Sequence, residues 1–162
     1  MHAMPILTIQ AAESLLKAQE DFLDKSEASF ALIIERGGSI LSQHGKIPDT
    51  VDPTILSALA AGSFAAIREV ALRVGETEFS ALHQQGRQSH ILMAAINDEA
   101  MLMAVFGPKT TLGLVRFYAA GAVKQIAAVL ERACNEPQIP IDLGSEIMDD
   151  SCEVFQEPSR RA

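Results

Sequence analysis

Tryptophan is absent, tyrosine occurs once, and aromatic residues make up only 5% of the chain. Such a sequence offers no aromatic platform on which bases could stack, and it has no basic stripe. A formal net charge of −8 further opposes a nucleic-acid backbone or an anionic membrane as partner. Cysteine is equally scarce. Cys134 and Cys152 stand alone and match no metal or redox spacing, so two free thiols in a reducing cytosol are expected. The opening MHAMPIL lacks the basic flank and long apolar run of a signal peptide, and no stretch approaches ~18 consecutive apolar residues. The expected protein is soluble and cytoplasmic, without membrane insertion.

Catalytic constellations are missing too. His2, His44, His83 and His90 have no helix-spaced partners for a metal. His83 near His90 across a hairpin is the one chemically suggestive contact, and no metal is assigned there. Gly45-Lys46 lacks the glycines and hydroxyl of a phosphate-binding loop. Gly37-Gly38 is followed by no helix and reads as a turn. Glu35, Asp98 and Glu99 are single carboxylates at turns. Arg68, Arg87 and Arg116 read as surface charges, any of which could serve as an arginine finger. No catalytic residue and no cofactor are expected, and the chain does not read as an enzyme.

What is present is a hydrophobic fraction of 48% in 162 residues, enough for one folded domain and a tail. Thr8 is placed to cap a helix reaching about Lys25, with Ala12, Leu15, Leu16, Ala18, Phe22 and Leu23 inward. Phe30 to Ile34 reads as a buried strand, turned by Gly37-Gly38 into a return strand at Ile40-Leu41. After Gly75, Phe79 to Gln84 is a weak strand. His90 to Ile96 and Met101 to Phe106 are strong ones, apolar enough to be covered on both faces. Thr111 opens a last helix to about Cys134, with Leu112, Val115, Ala119, Ala122, Ile126, Val129 and Leu130 inward. The order α-β-β-α-β-β-β-α implies an α+β fold with a five-stranded antiparallel sheet and helices on its faces.

The middle helix is the most informative element. Asp52 is a fitting N-cap, Pro53 a fitting first residue, and Gly75 can close the end. At ~100° per residue, Ile55, Leu56, Leu59, Ile67, Val70 and Val74 form one stripe, expected to face the core. The other side carries Ala58, Ala61, Gly62, Phe64, Ala65 and Leu72, with Arg68 and Glu69 as the only charges between Thr54 and Leu72. A helix apolar all round is normally covered on both sides, and a domain this small cannot do that alone. Alanine's helix propensity would explain a bland outer face, but not Phe64 or Leu72.

Residues 1–135 read as the domain and 136–162 as an acidic tail, broken by Pro137, Pro140 and Pro158. The tail is either a solvating segment or one that docks through a short helix carrying Ile147, Met148, Cys152 and Phe155.

Taken in order, ALIIERGGSIL, SALAAGSFAA, GETEFSALHQQG, ILMAAINDEAMLMAVF and TTLGLVRF resemble the roadblock (dynein light chain) family. Within it, they resemble the bacterial MglB-like proteins that regulate a small Ras-like GTPase. The likeness covers about residues 28 to 134, and the acidic tail is similar to MglB-like C-terminal extensions. It departs at Ser63, where many MglB-like sequences carry Asn, and in the HQQGR turn. The resemblance implies a roadblock/profilin-like fold and a homodimer. Weak strands would pair edge to edge and middle helices would lie side by side, using Phe64, Phe79, Ser80, Ala81, Leu82 and His83. It implies that Ala58, Ala61, Gly62, Ala65, Arg68, Glu69 and Leu72 meet the GTPase. It also implies activation without an inserted arginine, by rearrangement of the partner's own switch segments. A scaffold that tethers a GTPase or another protein without accelerating it is the alternative. A small-ligand sensor, with a pocket between the last helix and the sheet, is a weaker one.

Overall fold

A computed structural model describes residues 7–135; the expected tail-docking residues and His2 lie outside them. Eight elements follow in the expected order: α1 (Ile9–Ser26), β1 (Phe30–Glu35), β2 (Ile40–Gly45), α2 (Pro53–Arg73), β3 (Ala81–Gln85), β4 (His90–Ala95), β5 (Ala100–Phe106) and α3 (Leu112–Asn135). The strands make one antiparallel sheet in the spatial order β2-β1-β5-β4-β3. The most continuously apolar strands, β1 and β5, lie at or next to its centre, where both faces are covered.

Alternation along the strands divides the core. Ala31, Ile33, Leu92, Leu102, Ala104 and Phe106 point toward α1 and α3. Phe30, Leu32, Ile34, Met93, Met101 and Met103 point toward α2.

On the first face, Thr8 caps α1 by accepting from the Ala11 N–H at 3.2 Å. Leu15, Ala18, Phe22 and Leu23 are buried as expected, but Ala12 and Leu16 face outward. The correction comes from a polar residue. Gln19 is fully buried, donates to the Ala31 carbonyl at 3.0 Å and accepts from Ser42 Oγ at 2.5 Å. With its polar atoms satisfied, Gln19 takes a place in the inner arc that a count of apolar residues gives to others. In α3, Val115, Ala119, Ala122, Ile126, Val129 and Leu130 are buried, and Leu112 packs against the same core partly buried.

The expected orientation of α2 is overturned. Its sheet-facing side consists of Ser57, Ala60, Ala61 and Phe64. Ile55, Leu59, Ile67, Val70 and Val74 are instead exposed, and only Leu56 of that stripe is partly covered. The long side chains Met93, Met101 and Met103 already fill the space above the sheet, so the helix meets them with small residues and one ring. Its first turn is fixed. The Asp52 carboxylate accepts from Thr54 N–H at 2.8 Å, and Ser57 Oγ donates to the Gly38 carbonyl at 2.7 Å.

Gly38 has φ +94°, and a Cβ there would lie 3.0 Å from Ala58 Cα. Gly38→Ala is therefore expected to destabilise the domain by about 1–3 kcal/mol, through left-handed backbone strain and a forced lift of α2. A shift in the denaturant midpoint checks this.

By length and composition α2 and α3 would each suffice to cross a membrane, although neither has an unbroken apolar run. The inner side of α3 is core, while its Phe117 is 72% exposed. Much of the apolar side of α2 is open surface.

Candidate interaction surface

Beyond its sheet contact, α2 presents two open sides. The first is a stripe of large aliphatic residues: Ile55 is 60% exposed, Leu59 66%, Val70 55% and Val74 74%. Single exposed aliphatic residues are ordinary, but two such pairs on one helix, each spaced by one turn, mark a surface made to be covered.

The second side borders a groove of about 470 Å³ between α2 and the β4–β5 turn, with Ala65, Glu69 and Leu72 on the helix and Arg36 and Glu99 opposite. Arg68 crosses from α2 to Asp98 at 2.7 Å, and both groups are well solvated. A pair so exposed contributes only ~0–1 kcal/mol, so it fixes position more than stability. A second groove of about 350 Å³ continues toward Thr77 and Phe79. Two smaller spaces, of about 80 and 70 Å³, lie between α1 and α3.

These placements sort the residues singled out in the sequence. Ala58, Gly62, Ala65, Glu69 and Leu72 are exposed and Arg68 partly so. Ala61 instead packs on the sheet at 5% exposure. Phe64 also packs inward, its ring 5.1 Å from that of Phe79. Phe79 and Ser80 precede β3, while Ala81, Leu82 and His83 belong to it. Sequence reasoning missed the role of Ile55, Leu59, Val70 and Val74 as surface. Their helical spacing was visible, but nothing in it said which face the sheet would take. Cys134 is a free, exposed thiol.

β3 pairs with β4 along one edge, and among the described residues no strand lies along its other edge. The Ser80 carbonyl accepts from Ala95 N–H at 2.8 Å. By antiparallel alternation, the backbone groups of Ala81, His83 and Gln85 then point away from β4. They form a short open edge.

His83 and His90 meet on the α3 side of the sheet, with Nε2 and Nδ1 3.3 Å apart. Their rings stack with that of Phe106. Burial, then the charges of His90 and Arg116, holds the His83 pKa below its ordinary value. A histidine with a depressed folded pKa binds its proton more readily unfolded. Its stabilising contribution is complete above the unfolded value of about 6.5 and falls away as pH drops below it. Acidification from pH 7 to 5 should therefore lower the melting temperature, and His83→Gln should flatten that dependence.

The α-β-β-α-β-β-β-α chain thus leaves the outer edge of β3 open and much of α2 exposed. Residues 15–106 match the Roadblock/LC7 domain, and the chain belongs to that family. The gliding protein MglB of Thermus thermophilus is similar at 25% identity and a TM-score of 0.75, over 82% of this chain and 99% of that one. An MglB structure with a tetrameric arrangement is also 25% identical, with a TM-score of 0.76 over the same shares of each chain. MglB of Myxococcus xanthus, 23% identical, shares the fold at a TM-score of 0.73, over 79% of this chain and 96% of its own. No curated protein sequence matches.

Proposed function

We propose that this chain is a homodimeric, non-catalytic regulator that offers α2 and the neighbouring turns as a platform to a small Ras-like GTPase in the cytoplasm. The observation that carries this reading is that α2 leaves two different sides uncovered, an aliphatic stripe and a groove of mixed polarity. The C-terminal end of α2 leads into β3, whose outer edge is open, so one symmetric contact can pair the edges and bury Leu59 and Val70 against a second copy. The groove side, with Ala65, Glu69 and Leu72, is left for the partner.

Such a regulator works by position and charge. Phosphoryl transfer gains most of its rate from groups placed around the transferred phosphoryl, so holding the GTPase's own switch residues in place is sufficient. Arg68, an arginine close to the groove, is engaged by Asp98, which favours a structural part for it over insertion into a partner. The test pairs light scattering at micromolar concentration with GTP hydrolysis by a small Ras-like GTPase from the same organism. A dimer that raises the hydrolysis rate supports the reading. A dimer that binds with unchanged hydrolysis is a scaffold, and a monomer throughout removes the platform.

Removing residues 136–162 is expected to leave the melting temperature and the dimeric state unchanged, because their proline and acidic content has little to add to a core. A large fall in melting temperature would place Ile147, Met148 or Phe155 in the fold.

A further inference from the structure

The platform on α2 does not use the imidazole pair on the α3 side of the sheet, although the backbone of His83 belongs to the open edge of β3. His83 faces Leu92 in the β3–β4 register, and His90 lies two residues along the same strand face. The side chains therefore meet diagonally on one surface, each carried by a strand and not by a loop. The rings are nearly parallel, 8° apart, and the Phe106 ring lies 5.1 Å from His90 and 6.1 Å from His83. Their facing nitrogens are 3.3 Å apart.

That separation admits a direct N–H···N hydrogen bond in one tautomer. It equals the spacing of two nitrogens on a tetrahedral ion, since bonds of ~2.05 Å at the tetrahedral angle set them roughly 3.3 Å apart. We propose that His83 Nε2 and His90 Nδ1 together chelate one imidazole-preferring divalent transition metal per chain, of the zinc, nickel or copper class, with water completing the coordination.

Three features fit this role. Both side chains are partly exposed, which leaves an entry path and room for water ligands. The depressed pKa of His83 keeps its imidazole neutral at physiological pH, the form that ligates a metal. Imidazole nitrogens without thiolate or carboxylate suit late first-row dications over magnesium or calcium. Arg116 bears its charge on His83 and opposes a dication, so a site with two protein ligands is expected to be of moderate affinity. Its effect is mechanical. The ion ties the edge strand β3 to β4, and β3 is the strand whose outward groups are open for pairing.

The experiment adds zinc chloride or nickel chloride to the chelator-stripped full chain at pH 7.5 and follows binding by calorimetry and stability by thermal melting. The expected result is one ion per chain and a raised melting temperature. In His83→Gln and in His90→Gln, affinity should fall by more than the roughly tenfold loss that follows removal of a supporting contact. His44→Gln should bind as the unaltered chain does. Copper(II) in place of zinc should give an electron-spin resonance spectrum showing two equatorial imidazole nitrogens, reduced to one in either variant. If His83→Gln fails to fold, His90→Gln carries the same test. No binding in the micromolar range overturns the site, as does binding that persists unchanged in both variants. The dimer mass plays no part in either outcome, so this test and that of the platform fail independently.

Discussion

Leu59→Glu combined with Val70→Glu is expected to turn the proposed dimer into a folded monomer. Both side chains are mostly exposed, at 66% and 55%, and glutamate is a good helix former. The change should therefore cost the isolated chain little, within about 0.5 kcal/mol per site. Against a second copy, each carboxylate would be buried without a partner, at several kcal/mol apiece. Two such sites in each chain act twice across a symmetric contact. Since every ~1.4 kcal/mol is tenfold in affinity, association should weaken by more than about a thousandfold. Light scattering should show the monomer mass and circular dichroism an unchanged helix content. A variant that kept the dimer mass would take the aliphatic stripe out of the interface and leave the β3 edge alone to account for assembly.

Ala65→Arg is expected to abolish binding and stimulation of the GTPase while leaving a stable dimer. Ala65 is exposed and borders the groove, apart from the aliphatic stripe. Arginine has nearly alanine's helix propensity, so the fold should tolerate it. At a closely approached surface it adds a long charged side chain beside Arg68 and Arg36, and burying it unpaired costs several kcal/mol. Loss of dimer mass would instead place Ala65 at the seam between copies. A dimeric Ala65→Arg protein with full stimulation of GTP hydrolysis would falsify the platform.

How far the sequence could be read differs from element to element, for a physical reason in each case. The strands were legible because ALII and LMAVF are continuous apolar runs, and Gly37-Gly38 and Asn97-Asp98-Glu99 can only turn the chain. Helix ends were legible because Thr8 and Asp52 are local caps acting within three residues. β3 was harder. Its apolar signal spreads over Phe79 to Leu82, but the strand begins at Ala81, and Phe79 is drawn toward Phe64. The weakness of that strand was itself informative, since an edge needs little burial.

The sequence by itself determined the order of elements, the caps and turns, and the fact that α2 is apolar on every side, because each depends on neighbours along the chain. Only the tertiary structure decided which side of α2 meets the sheet. Periodicity places side chains around a helix axis but does not record what fills the space opposite. The methionines of β4 and β5 occupy that space, so Ala60, Ala61 and Phe64 turn inward and Ile55, Leu59, Val70 and Val74 turn out. Gln19 shows the same limit in α1. Whether a polar residue can be buried depends on acceptors and donors twelve and twenty-three residues away, and only the folded chain brings them together.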